Sequence, residues 1–170
     1  TGLDPSAQEA LHDAVIALGP PKDATLRGEL TQHLIIQVMG GRTSAAMALV
    51  RVDPVRAREV LTQVVRRSGV DPTSLEVAHA LARCGDTGPV RAIGLPYARE
   101  QLRPGRNEGE RINKQNALGI ELLYAAEWDQ AILEFRRMLW CEPLNEVAAY
   151  NVACGHSLAG RADDALRALR

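Results

Sequence analysis

Apolar residues recur along this chain at three- and four-residue intervals, and Gly, Pro and Asp interrupt them at short spacings, a pattern that predicts helices joined by tight turns. From Asp4 to Leu18 the positions Ala7, Ala10, Leu11, Ala14, Val15 and Leu18 fall on one helical face behind a cap-like Asp-Pro-Ser, and Gly19-Pro20-Pro21 ends the run. A second helix is expected from Asp23 to about Met39, stopped by Gly40-Gly41. Its stretch Leu34 to Met39 also suits a strand, but no partner strand is legible. A short helix over Thr43 to Val50 follows, then one from Asp53-Pro54 to Ser68 with Ala57, Val60, Leu61, Val64 and Val65 inward and Arg56, Arg58, Gln63, Arg66 and Arg67 outward. Further helices are expected over Leu75 to Arg83 and Val90 to Leu102.

Arg103 to Asn116 is polar, with no apolar periodicity until Ile112, and marks a joint. Beyond it the pattern repeats at a fixed interval. Leu118 and Val152, Gly119 and Ala153, Ala131 and Ala165, Ile132 and Leu166, and Phe135 and Leu169 are each 34 apart. Trp128, Ala131, Ile132, Phe135, Met138 and Leu139 form the buried stripe expected of one helix in this region. A 34-residue period of helix pairs signals a solenoid, whose hairpins bury their apolar faces on their neighbours.

The small residues Gly119 and Ala153, Ala131 and Ala165 early in the second helix, and Pro143 closing the unit sit where the tetratricopeptide repeat family places them. The stretch resembles one full unit of that family, about Ile112 to Asn145, and a second that stops partway through its second helix. Before the joint, Ala17-Leu18, Ala48-Leu49 and Ala80-Leu81 recur at intervals of 31 and 32, each ahead of a polar turn, and Val55-Arg56-Ala57 and Val90-Arg91-Ala92 recur after one. That looser period resembles HEAT helical hairpins. Together the resemblances imply an all-α chain, a right-handed α-solenoid of about five antiparallel helix pairs, HEAT-like over 1–105 and tetratricopeptide-like over 106–170, in one continuous array.

In tetratricopeptide arrays the first helix of each unit lines a concave surface that holds a peptide. The resemblance therefore implies a partner-binding face of Asn113, Asn116, Ile120, Leu123 and Tyr124 in one unit and Val147, Tyr150, Asn151 and Cys154 in the next. The variant that clamps a terminal carboxylate uses Lys, Arg and Asn on this face, and only Asn151 matches it, so a more apolar ligand is expected. The implied function is a non-catalytic protein-interaction scaffold with a protein or peptide partner and no cofactor. Thr1 is not Met, and the last residues continue a helical pattern, which leads us to expect a segment of a larger bacterial polypeptide. Self-association through the uncovered end of the last repeat is a further expectation.

Composition changes this picture little. The chain is 46% hydrophobic but 4% aromatic, so its core must be Ala, Leu, Val and Ile, a filler suited to closely stacked helices. Twenty basic and 21 acidic residues nearly cancel, which argues against phosphate-driven nucleic-acid binding. Arg far outnumbers Lys, as in GC-rich bacterial genomes. Cys84, Cys141 and Cys154 are too widely spaced for a metal motif, and no two of the four His share a helical turn, so neither a disulfide framework nor a metal box is expected. No apolar run is long enough to cross a bilayer, and no membrane association is expected.

Three strings invite a chemical reading. Gly155-His156-Ser157-Leu158-Ala159-Gly160 has the form of a nucleophile elbow, which needs a strand-to-helix turn; here it falls within a helix of the repeat. Gly40-Gly41-Arg42-Thr43-Ser44 has the form of a phosphate cradle but lacks the Lys and the preceding strand, and a glycine C-cap followed by a Thr or Ser N-cap accounts for it. The Arg51, Arg56, Arg58, Arg66 and Arg67 group has no aromatics interleaved and fits a solvated helix face. Two alternatives to the scaffold stay open: a structural arm packed on an adjacent catalytic domain, and a HEAT-like nucleic-acid-binding enzyme, which would need a basic groove and a catalytic carboxylate.

Overall fold

The computed structural model describes residues 4–67, 72–102 and 108–170, and among these the chain is all-helical, with ten α-helices and no strand. They are α1 (Pro5–Leu18), α2 (Ala24–Met39), α3 (Ser44–Val52), α4 (Pro54–Arg67), α5 (Pro72–Arg83), α6 (Leu95–Gln101), α7 (Glu108–Tyr124), α8 (Trp128–Cys141), α9 (Glu146–Leu158) and α10 (Ala162–Ala168). A turn of π-helix, Val90–Gly94, runs directly into α6. Residues 68–71, where the helix ending at Ser68 and the Asp71 restart were expected, lie outside the described residues, as do 103–107 of the polar joint. From Glu108 that joint is already helical.

Side-chain caps set the starts the sequence marks. Asp4 accepts from the backbone N–H of Ser6 and Ala7 at 2.9 and 3.0 Å, Asp23 from Leu26 at 2.9 Å, and Asn145 from Ala148 at 2.9 Å. Each offsets one or, at Asp4, two of the four unpaired donors at a helix start, a cap being worth about 0.5–2 kcal/mol. Tight left-handed turns set several ends. After α2, the N–H of Arg42 reaches back to the Gln37 carbonyl at 2.9 Å with Gly41 at φ 89 between them. After α7 and α9 the same closure recurs, Glu127 to Leu122 and Arg161 to His156, both at 2.9 Å.

The helices form two compact units, 1–89 and 90–170. In the first, α3 is the organising element: α1, α2, α4 and α5 all pack on it, and α2 packs on α3 and α4 rather than back on α1. Its Ala45, Ala46, Ala48 and Leu49 are fully buried, and the three alanines let neighbouring backbones approach closely. Around them lie Val15, Leu34, Val38, Ala57, Leu61, Val77, Ala80 and Leu81. Val60, Val64 and Val65 of α4 pack partly buried against this core, as their spacing predicts.

One stripe differs from its expected composition. The inner face of α1 is Gln8, His12 and Val15, with Leu11 partly covered, while Ala10, Ala14 and Leu18 face solvent. The helix is rotated from the most apolar choice, and polar side chains are buried where alanines were available.

In the second unit each helix packs on the next, α6 on α7, α7 on α8, α8 on α9 and α9 on α10, and α7 also meets α9. The Arg91 guanidinium donates from Nε and Nη2 to the Ala125 carbonyl, at 3.0 and 2.9 Å, tying the π turn to the end of α7. The 34-residue period is visible in the element bounds: α7 and α9 end at Tyr124 and Leu158, and α8 and α10 begin at Trp128 and Ala162. Gly119 has no room for a side chain. A Cβ there would stand 2.4 Å from Phe135 Cε1, so glycine lets the ring seat at the α7/α8 crossing.

Candidate functional site

The residues implied for partner binding lie on α7 and α9 at helical spacing, Asn113, Asn116, Ile120 and Leu123 or Tyr124 on one and Val147, Tyr150 or Asn151, and Cys154 on the other. The packing of α7 against α9 brings the middle of the two rows together: Asn151 Nδ2 donates to Asn116 Oδ1 at 3.0 Å, both side chains half-buried. An amide pair of this kind fixes the register of the two helices. The neighbours along α9 face outward, with Tyr150 61% and Val147 58% exposed. On α7 Asn113 is exposed, and Ile120, Leu123 and Tyr124 are half-covered.

Leu123 Cδ2 stands 3.6 Å from the point where a Cβ on Gly155 would project, so Leu123 fills the seam between α7 and α9. Tyr150 and Cys154, one turn apart, share a side-chain hydrogen bond that raises the phenol pKa. The tyrosine remains neutral through the physiological range and offers an apolar ring with one hydroxyl, a common anchor at protein interfaces.

The nucleophile-like string has a packing explanation. It lies on α9 from Gly155 to Leu158 and in the turn beyond, with no strand among the described residues. Gly155 is glycine because a Cβ would meet Ile132 Cγ1 at 2.6 Å. His156 is 6% exposed, its Nε2 3.4 Å from Arg136 Nη2 and its Nδ1 3.9 Å from Asp164 Oδ2. Since the guanidinium can only donate, Nε2 accepts and the ring is neutral. Burial first, and Arg161 second, lower its pKa. Arg161 is itself bound to Asp129 at 2.6 Å, joining the turn before α10 to the first turn of α8.

A second polar site, in the first unit, was passed over by sequence reasoning. The Gly40 to Ser44 string does close α2 as expected, but Thr43 gives α3 no side-chain cap. Its hydroxyl donates instead to Glu76 of α5, and Arg42 donates to Gln8 of α1. Between these groups lies a cavity of about 410 Å³ bordered by α1, the turn before α3, and α5. The signal for it was the inward polar stripe of α1, which the availability of alanines on the same helix concealed.

Arg51, Arg56, Arg58, Arg66 and Arg67 are all exposed along α3 and α4, Arg56 lying 4.0 Å from Asp53. Among the described residues no three His, Cys, Asp or Glu side chains converge as a metal-ligand set, and no helix is long and apolar enough to cross a membrane. Comparison with protein-family models, with curated proteins and with solved structures finds no match for the chain.

Proposed function

We propose that the second unit is a tetratricopeptide-like protein-interaction surface, non-catalytic, whose α7 and α9 hold an extended or helical peptide across a face of apolar and amide side chains. The observation that carries this reading is the pairing of a fixed amide bridge with uncovered anchors: Asn116 and Asn151 lock the two helices while Tyr150 and Val147 beside them stay mostly exposed. Large apolar side chains held on a rigid frame lose little entropy on binding, which is what a docking surface requires. The apolar and amide side chains of this face favour a ligand read by shape and apolar contact over one read by charge.

Affinity capture with the full chain tests this. A protein retained by the unaltered chain is expected to be lost from Tyr150→Ala and Val147→Ser variants whose circular dichroism is unchanged. Retention by both variants would place recognition elsewhere.

A second reading concerns α10. Its Leu166 and, just past its end, Leu169 are 60% and 58% exposed, while Ile132 and Phe135, at the equivalent positions of α8, are buried. Such a face supports pairing of two copies, and sedimentation should then show a dimer that Leu166→Glu converts to a monomer.

A further inference from the structure

We propose that α1 is an acid-released cover, a helix docked on α3 through the buried His12, which mild acid detaches while α2 to α5 keep their packing. The device lies wholly in the first unit and does not depend on the function proposed for the second.

Of the helices in its unit, α1 is the least tied. Its backbone comes close to that of α3 and of no other helix among the described residues, whereas α2 packs on α3 and α4, α4 on α2, α3 and α5, and α5 on α3 and α4. Its inward face is Gln8, His12 and Val15, with Leu11 partly covered, and only Val15 and Leu11 join the apolar cluster. The polar half is held by single contacts: Gln8 accepts from Arg42, and His12 Nδ1 lies 3.4 Å from Ser44 Oγ. Asp4 caps α1 from within its own first turn, so the helix carries its start signal with it when it leaves. An element with one close neighbour and a half-polar seat opens at lower cost than the unit as a whole.

His12 makes that opening sensitive to protons. The ring is 2% exposed, and its Nε2 has no accessible surface and no hydrogen-bond partner among the described residues. Protonation would bury a second N–H donor without an acceptor, together with a charge. The groups around the ring answer that charge poorly. On α2, His33 acts against it, with its own Nε2 buried and unpartnered, and so does Arg42 in the turn before α3. The first residue of α3 offers the Ser44 hydroxyl, and on α5 Glu76 is engaged by the Thr43 hydroxyl. The two carboxylates that favour the charge, Asp13 and Glu9, are exposed on α1 itself and travel with it.

Burial first, and His33 next, hold the docked ring's pKa below 6.5, whereas a ring on a detached α1 returns to the ordinary value. Detachment therefore takes up a proton. The docked state is fully held above about pH 6.5 and is lost progressively as the pH falls below it. Release uncovers the part of the cluster that Val15 and Leu11 seal, an apolar surface presented in acid and covered at neutral pH.

Amide hydrogen exchange of the full chain between about pH 8 and 5, corrected for the chemical exchange rate at each pH, tests this. Protection in α1 is expected to fall by up to about tenfold per pH unit below 6.5, one proton being taken up per opening, at pH values where α3 and α4 stay protected. His12→Gln keeps a group that can meet Ser44 and cannot be protonated, so it should remove that dependence. If His12→Gln loosens α1 at every pH, the His12 ring resonances of the unaltered chain decide. A ring that stays neutral until α1 opens supports the proposal; one that takes up its proton at the ordinary value while α1 remains protected overturns it. Loss of protection in α1 and α3 together at every pH would also overturn it, as would an acid dependence in α1 that survives in a well-folded His12→Gln.

Discussion

In the first unit four helices gather around α3, whereas in the second each helix lies on the one before it. The difference explains why one period is strict and the other loose. Where every helix meets equivalent neighbours, equivalent positions must hold equivalent residues, and the 34-residue spacing survives down to the turn. A central helix has a set of neighbours that no other helix shares. Its alanines answer to that crowding alone, and a recurrence at 31 and 32 is all that remains.

The two arrangements should fail in opposite ways. Removing volume is the damaging change at the hub: Leu49→Ala, at a fully buried position touching the cluster from several sides, is expected to cost about 2–5 kcal/mol. Hydrogen exchange should show protection falling in α1, α2, α4 and α5 together. Adding volume is the damaging change in the ladder. Gly119→Ala would drive a methyl into the Phe135 ring and is expected to cost about 1–3 kcal/mol, with loss centred on α7 and α8. Phe135→Leu, which copies the residue at 169, should reduce that penalty in the double variant. An effect of Leu49→Ala confined to α3, or a neutral Gly119→Ala, would break the contrast.

Helix positions were almost entirely legible because the signals are local: Asp4, Asp23 and Asn145 cap, Gly41 and Gly160 stop, and apolar spacing fills in between. The stripes of α4 and α8 were legible for the same reason. The inner face of α1 was not, because His12 and Gln8 are buried by what surrounds them rather than by their own hydropathy. The hub role of α3 is a tertiary fact with no periodic trace. The α7/α9 residues were named through a resemblance, and the Asn116 to Asn151 bridge, across 35 positions, is a hydrogen bond that joins the two rows.

Acid sharpens the comparison next. His12 in one unit and His156 in the other are both held below the ordinary value of 6.5, each chiefly by burial. The unfolded chain therefore takes up a proton at a higher pH than the folded chain does, so stability is complete above about 6.5 and is lost as the pH falls below it. Around His156 the facing groups are Arg136 on α8, Arg161 in the turn, Asp164 on α10 and Asp129 on α8. His156→Gln keeps a group able to accept from Arg136 and cannot be protonated. It should flatten the acid loss of protection in α8 to α10 and leave that of α1 to α3 in place; equal flattening in both units would mean that His156 is not the local cause.

The smallest expected effect lies in one turn read twice. Ala126 and Gly160 are 34 apart and occupy the same place after α7 and after α9, with φ 59 and φ 75. Both turns close through the same backbone bonds, so their geometry is set by the repeat and not by the residue. An L-residue in that region carries a penalty of about 1–2 kcal/mol, and replacing alanine by glycine gives the unfolded chain freedom worth about 0.4–1 kcal/mol. Ala126→Gly should therefore stabilise the chain by up to about 1 kcal/mol. Gly160→Ala should destabilise it by a similar amount, since a Cβ there meets no atom within 4 Å and only the backbone angle is penalised. Chemical denaturation of the two variants measures both signs at once. Opposite signs of comparable size identify the left-handed turn as a property of the period; a neutral Ala126→Gly would mean that the Arg91 guanidinium on the Ala125 carbonyl already compensates the strain at the member of this pair that lacks glycine.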